Sequence, residues 1–156
     1  MSLPPFQSLL DEHAADVHRY VVAAMGAHDG ADCFQETVVA ALRAYPALRD
    51  GENLRGWLFT IAHRKVIDRA RQRARHAVPV AEAPEVAAPP PRDGSGDDEL
   101  WGAVRELPPK QRSAVVQRFV LDRPYAEIAD TLGCSEPAAR QNVRAGLQRL
   151  RKEVTP

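Results

Sequence analysis

Apolar residues recur along this chain at intervals of three and four, and no stretch shows the period-two alternation of a half-buried strand. Phe6, Leu9, Leu10, His13, Val17, Tyr20, Val21 and Ala24 form one helical stripe, with Gly26 and Gly30 flanking the break that follows. Phe34, Val38, Ala41, Leu42 and Tyr45 form a second, which Pro46 ends. Beyond a polar loop from Pro46 to Asn53, Leu54, Trp57, Leu58, Ile61, Ala62 and Val66 predict a third helix. The apolar pattern stops at Ile67. Arg69, Arg71, Arg73 and Arg75 then follow at two-residue spacing, which scatters them around a helix. Such a tail has no core face; it projects into water or lies against something negative.

The second half repeats the helical period. Asp97 and Asp98 are expected caps for a short helix holding Leu100, Trp101 and Val104. Pro108 and Pro109 restart the chain into a helix through Val115, Val116, Phe119 and Val120. A third runs from about Tyr125 to Leu132, with Ile128, Ala129 and Leu132 inward, and Gly133-Cys134-Ser135 makes the next turn. Ser135 can cap the last helix, Pro137 is tolerated in its first turn, and Ala139, Val143, Leu147 and Leu150 form its inner face.

Between the halves, Ala77 to Gly96 contains five prolines and an Asp-Gly-Ser-Gly run but no aromatic residue, a composition that cannot bury enough apolar area to order itself. The expected fold class is therefore all-α, with two small helical domains, 1–76 and 97–153, joined by a flexible Pro-rich acidic linker over 77–96. At about 3.1 Å per residue the linker could stretch to roughly 60 Å, close to two turns of duplex DNA at about 34 Å each.

A length of 156 residues suits two lean cores, and the formal net charge of zero conceals strong segregation. Residues 1–54 carry −5, 55–76 carry +6, 77–99 carry −5 and 100–156 carry +4. Screening beyond roughly 8–10 Å makes these local blocks, not the total, decide whether a polyanion binds. The uncharged stretch Tyr20–Ala27 is too short to cross a bilayer, and residues 1–10 show no secretory pattern. Cys33 and Cys134 form no CxxC and fit buried thiols in a reducing cytosol, so a cytoplasmic location is expected, without disulfide, metal or cofactor.

Helix, Gly-containing turn and polar-faced helix form a helix-turn-helix arrangement, whose second helix enters the major groove. Ser135, Glu136, Ala138, Arg140, Gln141 and Arg144 are then nearest the base edges. Arginine can pair with guanine and glutamine with adenine, while small alanines allow close approach. The third helix adds Trp57, Phe59 and His63 beside Arg64, Lys65 and Arg69, a mixture suited to unstacked bases. Trp57 is expected to be mostly core, with Phe59 and His63 pointing elsewhere. An enzyme is poorly supported: His13 and His18 share no helical face, Gly94-Ser95-Gly96 is linker, and no nucleophile constellation exists. A stand-alone helix-turn-helix regulator remains the alternative, although a duplex binder has no use for the aromatic-basic third helix.

These residues resemble the extracytoplasmic-function group of sigma-70-family sigma factors, the dissociable promoter-recognition subunits of bacterial RNA polymerase. Asp32-Cys33-Phe34-Gln35-Glu36-Thr37 is similar to the family's D-L-V-Q-E-T stretch, and Trp57–Arg69 to its W-L-x-x-I-A-R-N-x-x-I-D-R stretch. Leu107-Pro108, Arg112, Tyr125, Glu127-Ile128-Ala129 and Leu132-Gly133-Cys134-Ser135 are similar to its fourth region. The resemblance implies binding without covalent chemistry. Asp32, Gln35 and Glu36 would dock on the β′ clamp coiled coil of core polymerase, and the second domain on the β flap. Phe59, His63, Arg64, Arg69 and Arg71 would capture unpaired −10 bases, with the loop Tyr45–Asn53 as pocket for a flipped base, and the last helix would read −35 duplex. The linker would occupy the RNA-exit path, and an anti-sigma factor would hold the protein inactive. Departures from the family pattern are His63-Arg64 in place of Arg-Asn, Pro124 in place of a frequent capping serine, and Gly146-Leu147 within a usual Arg-Ala-Arg run.

Overall fold

The computed structural model describes residues 3–49, 51, 53–76 and 96–154. Helices α1 (Phe6–Met25), α2 (Ala27–Ala44) and α3 (Leu54–His76) form the first half, with a 3-10 turn at Tyr45–Ala47. Helices α4 (Gly96–Glu106), α5 (Pro109–Phe119), α6 (Tyr125–Leu132) and α7 (Glu136–Val154) form the second, and the described residues contain no strand. The all-α expectation holds; of the expected linker over 77–96, residues 77–95 lie outside the described residues and Gly96 opens α4. Among those described, no helix is long and apolar enough to cross a membrane.

The α1 stripe is buried through Leu9, Val17, Tyr20, Val21 and Ala24, and packs on α2 and α3. The helix breaks at Gly26 alone. Gly30, expected to flank that break, lies inside α2, where a Cβ would meet Val22 Cα of α1 at 2.7 Å. Its hydrogen side chain lets the two helix backbones touch. Leu42 departs from its expected place on the inner stripe and is 53% exposed. The described loop residues before α3 are tied down locally: Tyr45 packs edge-on against Phe6 with centroids 5.3 Å apart, and Asn53 Oδ1 accepts the Gly56 amide at 3.1 Å as an N-cap. Cys33 is buried, and burial pushes its thiol up to about 11, the mark of an inert core residue.

In the second half α4 begins at Gly96, so Asp97 and Asp98 lie within its first turn instead of preceding it. Phe119, expected inward, is 60% exposed at the end of α5. Pro124 occupies the N-cap of α6 in extended backbone, and Gly133 ends that helix with φ 69° and ψ 36°, the left-handed conformation the turn needs. Gly146 removes a clash, since a Cβ there would lie 2.6 Å from Val115 Cγ2 of α5.

The two halves pack against each other. Helices α4 and α5 contact α1, and α5 and α6 contact α3. One buried cluster runs across the boundary, joining Val17, Tyr20, Ala24, Phe59 and Val66 to Val104, Leu107, Val115, Val116 and Leu121. A smaller cluster of Ala114, Ile128, Ala129, Leu132, Ala139 and Val143 holds the α5–α6–α7 unit.

Candidate nucleic-acid interface

The α6–α7 turn is built from local chemistry. Gly133 supplies the left-handed turn, Ser135 Oγ accepts the Ala138 amide at 3.2 Å, and Ala139 is buried against α6. With that face fixed, Glu136, Arg140, Gln141 and Arg144 stand exposed along the first turns of α7, with Ser135 exposed ahead of it and Ala138 half-buried. The guanidinium of Arg140 lies 5.1 Å from the Tyr125 ring centroid, Arg118 lies 4.8 Å from it, and Arg140 also pairs with Glu136 at 2.8 Å. Tyr125, Arg140, Arg144, Gln148 and Arg151 line a shallow groove beside the helix. All six residues expected to meet duplex DNA thus lie on the turn or on α7 itself.

The α3 set is divided. Arg64 and Arg71 are exposed, whereas Phe59 is fully buried and His63 is 7% exposed. The expectation that these two rings point away from the core is corrected: Trp57 is only half-buried, and the second domain covers Phe59 and His63. The Tyr20 hydroxyl lies 2.7 Å from Ser113 Oγ, which lies 3.0 Å from His63 Nδ1. Gln117 Nε2 donates to Ser113 Oγ at 2.9 Å. Arg123 Nη1 donates to Gln117 Oε1 and, at 2.8 Å, to Thr131 Oγ1, while its guanidinium lies 4.4 Å from the Phe59 centroid. Burial, with Lys110 and Arg64 nearby, pulls the His63 imidazole down to about 4. Its ring is neutral at pH 7.

Two arginines of the basic α3 tail find negative partners within the chain. Arg69 Nη2 donates to Glu36 Oε1 at 2.7 Å, and Arg73 pairs with Asp29 of α2. Hydrogen bonding from Arg69 holds the Glu36 carboxyl below its usual range. Arg69 therefore sits with Asp32, Gln35 and Glu36, not with Arg64 and Arg71, around a groove completed by Val39, Arg43 and Lys65. Val39 is an exposed apolar residue in this groove that periodicity did not single out; it lay off the stripe, and that was the available signal. Among the described residues no group of acidic, His and Cys side chains could hold a metal ion.

A glycine-turned helix pair with an arginine-bearing outer face, attached to a second helical bundle with a basic helix, defines a helical DNA-binding protein. Residues 9–76 match the family profile of sigma-70 region 2, and residues 97–150 that of sigma-70 region 4. The chain is 34% identical over 131 residues to the ECF RNA polymerase sigma factor ShbA of Streptomyces griseus, covering 77% of this chain and 69% of that protein. It is 31% identical over 160 residues to the ECF RNA polymerase sigma factor SigE of Mycolicibacterium smegmatis, covering 96% of this chain but 62% of that longer protein. Its fold is similar to that of the sigma factor RpoE in complex with the anti-sigma factor NepR from Bartonella quintana, with a TM-score of 0.74, 24% identity and 96% of each chain covered. The chain belongs to the sigma-70 family, in its extracytoplasmic-function group. Sigma factors are transcription initiation factors rather than catalysts.

Proposed function

We propose that this chain joins core RNA polymerase in the cytoplasm and directs it to promoters without cofactor or catalysis of its own. Two working units, 1–76 and 97–153, tethered by 77–96, would span the two promoter elements. Ser135, Glu136, Ala138, Arg140, Gln141 and Arg144 read the −35 duplex in the major groove. Arg64 and Arg71, exposed on α3, take up unpaired −10 bases, and Arg69 serves that strand only when it leaves Glu36. Asp32, Gln35 and Glu36 hold the β′ clamp coiled coil, and the second unit meets the β flap. An anti-sigma factor is the expected inhibitor, a reading supported by the similarity to RpoE bound to NepR and to CnrH bound to the cytosolic domain of CnrY.

The observation that carries this reading is the exposed Glu136–Arg140–Gln141–Arg144 face, held outward by buried Ala139 and Val143. Run-off transcription with purified core polymerase on genomic fragments tests it. Discrete transcripts are expected only when the chain is added, and Arg140→Ala with Arg144→Ala should lower them at least about tenfold, since each base-reading arginine contributes ~1–3 kcal/mol. Full promoter-directed transcription from the double variant would overturn the assignment.

A further inference from the structure

Tyr125 is the first residue of α6, preceded by the extended backbone of Pro124, and its half-buried ring packs on the small cluster that holds α5, α6 and α7 together. Packing alone would suit an aliphatic residue at this position. The ring also meets two cations. The guanidinium of Arg118, steadied by a hydrogen bond from its Nη1 to the Arg123 carbonyl at 3.2 Å, lies 4.8 Å from the ring centroid, and that of Arg140 lies 5.1 Å from it. Both distances are inside the ~6 Å over which a ring face attracts a cation. Arg140 is exposed on α7, and its other partner among the described residues is Glu136, one turn back on the same helix at 2.8 Å. Against DNA these two restraints differ. Phosphates repel the Glu136 carboxylate and their counterions screen the exposed pair, whereas the neutral ring keeps its hold on the guanidinium. A cation held over a ring face also keeps its N–H donors available for a guanine.

We propose that Tyr125 is a positioning residue for the −35 readout: its ring preorganises Arg140 in the pose that meets a base edge, and so sets how sharply that arginine discriminates. A freely rotating arginine loses rotamer freedom when it docks, and one already placed loses less. Free rotation also lets the guanidinium settle on a neighbouring phosphate, which carries no sequence information. Restraint by the ring disfavours that alternative, so the gain falls on one base at one position and not on all sequences alike. An exposed cation–ring contact corresponds to about two- to fivefold in an equilibrium constant, more than the roughly twofold at most of an exposed pair one helical turn apart. The inference rests on reading α7 as the −35 helix, and it adds to that reading a residue on the preceding helix.

The test uses the full chain assembled with purified core polymerase and a library of promoter fragments randomised across the −35 element. Sequencing the run-off transcripts gives the base preference at each position. Arg140→Ala identifies the position that Arg140 reads. Tyr125→Leu keeps an apolar side chain on the cluster but removes the ring, while Tyr125→Phe keeps the ring. Tyr125→Leu should lower the preference at the Arg140 position about two- to fivefold, leave the other positions unchanged, and add nothing to Arg140→Ala. Tyr125→Phe should retain the wild-type profile. A second measurement needs no DNA: in the isotope-labelled chain the Arg140 Nε–Hε resonance should carry a ring-current shift that Tyr125→Leu removes and Tyr125→Phe retains. An equal fall at every position, or the same loss from Tyr125→Phe, assigns Tyr125 to packing or to its hydroxyl and overturns the proposal. A resonance that does not move in Tyr125→Leu overturns it too, whatever transcription gives. Absence of any position-specific effect from Arg140→Ala overturns the −35 reading and the readout role with it, while the resonance decides separately whether the ring holds the side chain.

Discussion

Gly133 shows how one residue can fix the angle of a DNA-reading helix. Its φ of 69° is strained for any residue with a Cβ, and nothing else crowds the position. Gly133→Ala should therefore lower unfolding stability by about 1–2 kcal/mol through backbone strain alone, measurable by urea denaturation, and Asn in its place should recover much of the loss. Gly30 has a different reason for being glycine. A Cβ there would meet the Val22 backbone, which cannot rotate away, so Gly30→Ala should cost about 1–3 kcal/mol through overpacking and no residue choice should rescue it. The sequence makes the first glycine legible because turn, left-handed backbone and the following Ser135 cap are all local. It leaves Gly30 and Gly146 opaque, because their constraint is a second helix that only tertiary structure supplies.

At the scale of elements, helical periodicity located the helices closely but did not decide which apolar residues each would bury. Leu42 and Phe119 continue the three-four spacing of α2 and α5, yet both face outward, since no described element buries those ends. The arginine tail of α3 carried a two-way expectation, water or a negative partner, and the partner is the acidic edge of α2 through Glu36 and Asp29. Charge segregation along the chain was thus read correctly as local, but its first consequence is pairing between neighbouring helices. That pairing shapes the outcome at the proposed polymerase face. Gln35→Ala with Glu36→Ala should weaken binding of labelled core polymerase about tenfold in equilibrium titrations. Thermal stability should hardly change, because the exposed Glu36–Arg69 pair is worth no more than about 1 kcal/mol in water. Equal losses of polymerase affinity and thermal stability would assign both residues to folding instead.

For the whole molecule, the decisive feature is a core that crosses from one half to the other, which no linear reading of two domains and a tether contains. The residues that make the crossing polar are separated by 50 to 93 positions in the chain, so their meeting leaves no periodic trace. It does leave a pH signature. His63 is faced by Tyr20 from α1, by Ser113 and Lys110 from α5, and by Arg64 on its own helix, with Asp68, Arg71, Asp130 and Thr131 around the adjoining groove. Burial and the neighbouring cations pull its imidazole down to about 4 from an ordinary 6.5. A group whose value is lowered by packing of the two halves takes up its proton more readily when they separate. The packed arrangement is therefore fully favoured above about pH 6.5 and loses ground as pH falls toward 4. A shift of this size corresponds to about 3 kcal/mol against packing of the two halves once protonation is complete. Between pH 7.5 and 5.5 the ratio of separated to packed halves should rise roughly tenfold, visible as an increase in radius of gyration while helical circular dichroism stays constant. In His63→Gln, which has no proton to gain, that part of the response should vanish. Expansion that persists undiminished in His63→Gln would assign the acid response to the carboxylates, such as Glu127 opposite Arg55 and Arg123, and not to the imidazole.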